Sequence, residues 1–251
     1  MCSLSFIPRS NGYLLAMNRD ERLSREVALP ATVSNIGNHF ALFPYESSGG
    51  TWIGANDSGV ALALLNRNVE EGSSRKLKSR GRVIPQLLVA GTAGELQTAV
   101  RRLDLIGTLP FKLVAFIPDE RTIIEWNWDA TQLRSIIHPW THGHWFSSGL
   151  SDSTAARKRG AVCQAAWKRA RPGTLTWLRQ LHRSHRPTRG AFSICVHRED
   201  AQTVSYTELS CGERLLKLRY RPGPPCQPAD VFTARLDLRQ LKLAVNFSAP
   251  A

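Results

Sequence analysis

The 251-residue sequence has no apolar run approaching the roughly 18 to 20 residues that a membrane helix needs, which argues against a helical membrane span. Its first residues, MCSLSFIPRSNGYLLAMNRDE, lack a basic segment followed by an apolar stretch, so they do not read as a signal peptide. No glycine-rich phosphate loop of either common type is present, and no helix-turn-helix, zinc-finger or RNP pattern. Repeats and low-complexity tracts are absent. Cysteine is scarce, odd in number and irregularly spaced (Cys2, Cys163, Cys195, Cys211 and Cys226), which argues against a disulfide framework. Reduced thiols and a cytoplasmic location are the expectation. Acidic residues are also few: 20 against 33 Lys and Arg give a net charge of +13.

What is present suits one domain spanning residues 1–251. Apolar residues make up 42% of the chain, enough for a real core. Two basic clusters stand out, Arg75, Lys76, Lys78, Arg80 and Arg82, then Arg157, Lys158, Arg159, Lys168, Arg169 and Arg171. They read as a solvated face, with an anion-binding surface as the alternative and no specific nucleic-acid partner expected.

The first third reads as strands. Ser3 to Ile7 and Tyr13 to Met17 flank a hairpin turn at Arg9-Ser10-Asn11-Gly12. His39 to Pro44, Thr51 to Ala55 and Val60 to Asn66 follow, the last two joined by a turn at Asn56-Asp57-Ser58-Gly59. The last run is apolar almost throughout and predicts a strand buried on both faces. Helices are predicted from Val83 to Ala90 and after a capping box at Thr92 to Glu95. Strands return at Lys112 to Ile117, Thr122 to Trp128 and Leu133 to Ile137. Helices follow at about Thr154 to Arg169 and Leu175 to His182. Further strands are predicted at Ala191 to His197, Thr203 to Leu209 and Arg214 to Tyr220, before an irregular break at Pro222 to Pro228 and a mobile tail. This order predicts antiparallel sheets covered by helices, not a parallel doubly wound sheet.

Cys2 leads the chemistry. A small residue after Met1 permits removal of that Met, leaving a cysteine with a free α-amine. Free Cys has a pKa of about 8.5 and the α-amine one of about 7.7 to 8.0, so the amine can take the thiol proton near neutral pH. Nucleophile and base then share one residue. The predicted hairpin returns Asn18-Arg19-Asp20-Glu21 beside the chain start, where a carboxylate can orient the amine and Arg19 can favour the thiolate. Gly49-Gly50-Thr51-Trp52 reads as a tight turn, with Trp52 as a pocket wall or a core residue. His142, His144, His182, His185, Cys195 and His197 are available metal ligands. None has zinc-finger or HExxH spacing, so no metal and no cofactor are expected.

Met-Cys at the start, AMNRDE at Ala16 to Glu21, GGTWIG at Gly49 to Gly54, a strand ending in Asn66, and Ser79-Arg80-Gly81 together resemble the NRDE family. This is also called the Transport and Golgi organisation 2 family. A weaker echo lies at Ser148-Gly149-Leu150-Ser151-Asp152, where Asp152 replaces the family Asn, and a looser one at Thr188-Arg189-Gly190. The resemblance implies an α+β fold, the four-layer αββα sandwich of the N-terminal-nucleophile hydrolases, with the choloylglycine hydrolase and penicillin V acylase group as chemical analogues. It implies Cys2 as nucleophile with Arg19 and Asp20 beside it, and Asn66 as oxyanion donor. Glu21, Thr51 and Trp52 would contact substrate, and Glu21 is an alternative to Asp20. The expected activity is hydrolysis of a non-peptide C–N amide bond in a small-molecule amide or acyl substrate. The alternative is a non-enzymatic carrier or chaperone for haem, acyl-CoA or lipid.

Overall fold

The computed structural model describes residues 2–67, 78–169 and 172–239. Strands β1 (Cys2–Arg9) and β2 (Gly12–Arg22) form an antiparallel hairpin whose register pairs Cys2 with Arg19 and Arg9 with Gly12. Alternation sorts their side chains: Leu4, Phe6, Tyr13, Leu15 and Met17 enter one apolar core, while Ile7, Leu14 and Ala16 enter another. Gly12 has φ +134°, and a Cβ there would lie 2.1 Å from the Cys211 carbonyl oxygen, so the turn requires glycine.

The remaining elements are β3 (Leu29–Ile36), β4 (His39–Tyr45), β5 (Ile53–Asn56), β6 (Ala61–Asn66), α1 (Val83–Leu87), α2 (Ala93–Arg101), β7 (Phe111–Ile117), β8 (Thr122–Trp128), β9 (Leu133–Pro139), β10 (Gly143–Ser147), α3 (Asp152–Trp167), α4 (Leu175–His182), β11 (Ala201–Cys211), β12 (Leu215–Pro222) and β13 (Phe232–Asp237). They build a six-stranded sheet ordered β10-β1-β2-β11-β12-β13 and a seven-stranded sheet ordered β3-β4-β5-β6-β7-β8-β9. Every strand pairing within these sheets is antiparallel.

Three apolar clusters define four layers. The largest lies between the sheets and joins Leu4, Phe6 and Leu15 to Ala63, Val114 and Phe116. A second packs the other face of the seven-stranded sheet, through Leu62, Leu64 and Leu113, against Ile84, Leu87, Leu96 and Val100 of α1 and α2. The third packs Ile7, Leu14 and Ala16 of the six-stranded sheet against Cys163 of α3 and Leu178 and Leu181 of α4. This is the αββα sandwich. Strand β6 contributes alternate residues to two of these cores, which explains its unbroken apolar run.

Several boundaries differ from the sequence expectation. Ala191 to His197 is an irregular loop, not a strand. Its backbone donors go to local loop carbonyls and a side chain: Cys195 N to Ser184 O, His197 N to Gly190 O, and Val196 N to Thr203 Oγ1. The start of the predicted mobile tail contains β13, which pairs with β12 through Phe232 to Asp237, and residues 240–251 of it lie outside the described residues. Strands β3 and β10 were missed because β3 is largely exposed and lacks alternation, and β10 is short.

A polar layer lies under the six-stranded sheet. The His182 ring bonds Ser5 Oγ (2.9 Å) and Asn18 Oδ1 (3.1 Å), and the His144 ring bonds Ser5 Oγ at 2.9 Å. Burial holds His182 down at about 3 and His144 at about 4. The unfolded chain, with His near 6.5, therefore takes up protons first, so stability is full above about pH 6.5 and is lost as pH falls. The two together are expected to lower unfolding free energy by about 4 kcal/mol between pH 7 and pH 5. Asp20, whose pKa burial raises, works in the opposite sense. Urea unfolding across this range measures the slope, and a flat profile would show that the rings protonate in the folded state.

Candidate active site

Cys2 opens β1 between β2 and β10, opposite Arg19 on one side and Ser147 on the other. It is 3% exposed. Burial pushes its thiol pKa up, and the Asp20 carboxylate adds to this. Arg19 and a hydrogen bond from the Asp20 backbone oppose it. A thiol so placed is not a standing thiolate and needs a base to become one.

Cys2, Arg19, Asp20, Glu21, Thr51, Trp52 and Asn66 all line one cavity of about 460 Å³. These are the seven residues that the sequence singled out, and the fold brings them from four separate stretches. Alternation along β2 gives the central pair different roles. Arg19 shares the Cys2 face: its guanidinium lies 4.5 Å over the Trp52 ring, bonds the Glu46 carboxylate, and sits 3.8 Å from Glu21 Oε2. Asp20 turns towards the helices, where Oδ1 accepts a 2.6 Å hydrogen bond from Thr203 Oγ1 and Oδ2 lies 3.6 Å from Arg159 Nη1. Burial raises the Asp20 pKa, and Arg159 and Thr203 oppose the rise. Glu21 is less enclosed. Burial disfavours its ionised form, but the Arg22 backbone N–H, Arg19 and Arg25 help to hold its pKa below the usual range.

Gly49-Gly50-Thr51-Trp52 and Ser79-Arg80-Gly81 meet here. A Cβ on Gly50 would lie 3.0 Å from Gly81 Cα, and one on Gly81 would lie 3.0 Å from Gly50 Cα, so the two motifs depend on each other's glycine. Thr51 N donates to Gly81 O at 2.9 Å, and Thr51 Oγ1 is engaged by the carbonyls of Pro44 and Ile53. The Thr51 hydroxyl therefore shapes the turn. Trp52 Nε1 is buried with no hydrogen-bond partner among the described residues. The junction delivers Arg80 to the cavity wall, where Nη1 donates to Pro110 O at 2.9 Å. Asn66, half-buried at the end of β6, lines the same cavity.

Two residues at the site were not anticipated. Glu46 bonds Arg19 and also Arg25, at 3.0 Å. Arg159, expected on a solvated basic face, is instead fully buried. Its Nη1 donates to Cys2 O (3.2 Å), Ser3 Oγ (3.0 Å) and Ser147 O (3.3 Å), and Nη2 donates to Ala191 O (3.1 Å). The signal was its place between Ala155 and Cys163 at four-residue spacing, the buried stripe of α3. The Ser148 to Asp152 motif starts that helix. Asp152 Oδ1 accepts from Ser148 N at 2.6 Å, and Ser151 Oγ caps Thr154 N.

The other basic residues are dispersed. Lys78 pairs with Asp104, while Arg157, Lys158 and Arg169 edge a separate groove of about 1050 Å³ between α3 and α4. Arg75, Lys76 and Arg171 lie outside the described residues. Among the described residues, no helix is long and apolar enough to cross a membrane.

The family model described as Transport and Golgi organisation 2 matches residues 1–171. No curated protein matches the chain in sequence. Among solved structures, penicillin V acylase from Agrobacterium tumefaciens superposes with a TM-score of 0.55 at 12% identity, over 93% of this chain and 85% of that one. A cysteine-to-alanine mutant of conjugated bile acid hydrolase from Clostridium perfringens gives 0.51 at 11% identity, over 98% of this chain and 100% of that one. At such identities the likeness is one of fold.

Proposed function

The chain belongs to the Transport and Golgi organisation 2 family, and on that premise we propose that it is a cysteine N-terminal-nucleophile hydrolase cleaving a C–N amide bond in a small, non-peptide substrate. The observation that carries this reading is the convergence of Cys2, Arg19, Trp52 and Asn66 on one cavity. The two structural neighbours, named as an acylase and a hydrolase of conjugated bile acids, support the reaction class.

Removal of Met1 frees the Cys2 α-amine. The amine takes the thiol proton and Sγ attacks the substrate carbonyl carbon. The Asn66 side-chain amide donates to the resulting oxyanion. As the C–N bond breaks, the α-ammonium passes its proton to the leaving nitrogen, and a thioester remains on Cys2. Water, deprotonated by the same amine, attacks the thioester and releases the acid and the thiol. Arg159 holds the Cys2 carbonyl throughout, which fixes where Sγ can reach. A cavity of about 460 Å³ suits a small molecule. Arg19, Arg22, Arg25 and Arg80 line it with Asp20, Glu21 and Glu46, and Asp20 faces Arg159 below, so the balance favours a substrate with an acidic group.

Asn66→Ala is expected to lower kcat by about 10²- to 10³-fold with little change in KM, because its amide acts on charge that develops only in the transition state. Steady-state kinetics on any amide found in a substrate panel measures this. An equal rise in KM with unchanged kcat would assign Asn66 to ground-state binding.

The carrier reading draws on the larger groove between α3 and α4, where apolar Ala161, Val162 and Trp177 lie beside Arg157, Lys158 and Arg169. Saturable binding of haem, acyl-CoA or lipid that is indifferent to Cys2→Ala would support that reading.

A further inference from the structure

Four side chains from three segments of the chain converge. His185 follows α4, Cys195 and His197 sit in the irregular loop before β11, and Cys226 lies in the turn after β12. Their ligand atoms all lie within 4.8 Å of one another. The separations are 3.6 Å for Cys195 Sγ to Cys226 Sγ, 3.6 Å for Cys195 Sγ to His197 Nε2, 3.3 Å for Cys226 Sγ to His197 Nε2, and 3.2 Å for His185 Nε2 to His197 Nε2.

A tetrahedral zinc ion, with Zn–S about 2.3 Å and Zn–N about 2.0 to 2.1 Å, requires edges of about 3.8 Å for S···S, about 3.6 Å for S···N and about 3.3 Å for N···N. The four separations given above lie within about 0.3 Å of these values. We propose that His185, Cys195, His197 and Cys226 form a structural zinc site. Two thiolates neutralise the dication, and two thiolates with two imidazoles suit tetrahedral zinc over harder ions. The protein supplies all four ligands, so no position is left for substrate and the site is a clamp.

The clamp has a definite task. The loop carrying Cys195 and His197 has no regular secondary structure, yet it supports the catalytic floor. Ala191 O accepts from Arg159 Nη2, and Ile194 O accepts from Asn18 Nδ2 at 2.9 Å. Thr203, which donates to Asp20, also receives Val196 N. An ion bonded to three segments would tie this loop to the end of α4 and to the turn after β12. One contact must yield: Arg189 Nη2 lies 3.4 Å from His197 Nδ1, which carries the ring proton once Nε2 binds zinc. Arg189 is exposed and free to move away.

The test reads metal, not activity, so it stands apart from the hydrolase reading. Full-length protein from zinc-supplemented bacteria is expected to hold about one zinc per chain by plasma mass spectrometry. Cobalt exchange is expected to show the visible bands of a tetrahedral ion with a thiolate charge-transfer band. Cys226→Ser and His185→Ala, at half-buried positions, are each expected to weaken zinc binding by more than about 100-fold in chelator competition. Wild-type protein with native circular dichroism and no metal above background would overturn the proposal. So would an intact mass showing Cys195 and Cys226 oxidised to a disulfide, or zinc retained by a Cys195→Ser, Cys226→Ser double variant.

Discussion

Cys2→Ala is expected to reduce amide turnover by about 10⁴-fold or more, while leaving the fold and the melting temperature nearly unchanged. The side chain lost is small and lies at a cavity wall, so little packing goes with it. What disappears is the only sulfur among the described residues that line the cavity, and no other described residue there can form a thioester. Cys163 is buried in the core beneath α3, and burial pushes its thiol up to about 12. Cys163 should therefore resist alkylation, while Cys2, which lines the cavity, reacts with iodoacetamide from that side. Peptide mapping after brief alkylation, alongside kinetics of wild type and Cys2→Ala, checks both expectations. Undiminished turnover in the variant would remove the nucleophile from the account.

Arg159→Met is expected to lower stability by about 3 to 5 kcal/mol, as breaking a buried ion pair by removing one partner does. The substitution conserves much of the side-chain volume but leaves Asp20 without the cation 3.6 Å away. It also strips hydrogen bonds from the carbonyls of Cys2, Ser147 and Ala191. Three elements that meet at the nucleophile, β1, β10 and the loop before β11, would lose their common partner. Turnover should fall even in the fraction that remains folded, because the Cys2 backbone is no longer held. Arg157→Met, two residues away at the rim of the outer groove, is expected to change stability by less than about 0.5 kcal/mol. Urea unfolding of the two variants decides between a buried keystone and a solvated basic helix. Equal stability of both would return Arg159 to the surface.

The contrast between these two arginines shows where sequence reading stops. Arg157-Lys158-Arg159 looks like one basic run, and only the helical period separates the residue pointing at the sheet from its neighbours. The β1–β2 hairpin was legible because two short apolar segments, Ser3 to Ile7 and Tyr13 to Met17, flank a turn that holds Asn11 and Gly12. The convergence of Cys2, Arg19, Trp52 and Asn66 followed from a motif resemblance, since nothing in local periodicity ties residue 2 to residue 66. Glu46 was invisible for the same reason: it lies just past β4, with no pattern around it, and its meaning comes from Arg19 and Arg25. His185, Cys195 and His197 stood out as available ligands without a recognised spacing, and Cys226 did not join them because only the fold brings the turn after β12 beside their loop. β13 was missed because the proline-rich stretch before it looked like an ending, whereas it leads into a strand that pairs with β12.

The central claim is that Cys2 acts as nucleophile with its own α-amine as base. An amide nitrogen cannot accept the thiol proton at neutral pH, so chain-initial Met1 and catalysis exclude each other. The most direct measurement compares turnover of one amide substrate by two preparations that differ only at the N-terminus. One has Met1 removed, verified by intact mass; the other retains Met1 behind an uncleaved N-terminal extension. The account predicts turnover by the first and none above background by the second, with activity restored when the extension is cut back to Cys2. Full activity of the Met1-retaining protein in a reaction that still requires Cys2 would contradict it, and would pass the role of base to a neighbouring carboxylate, Asp20 or Glu21.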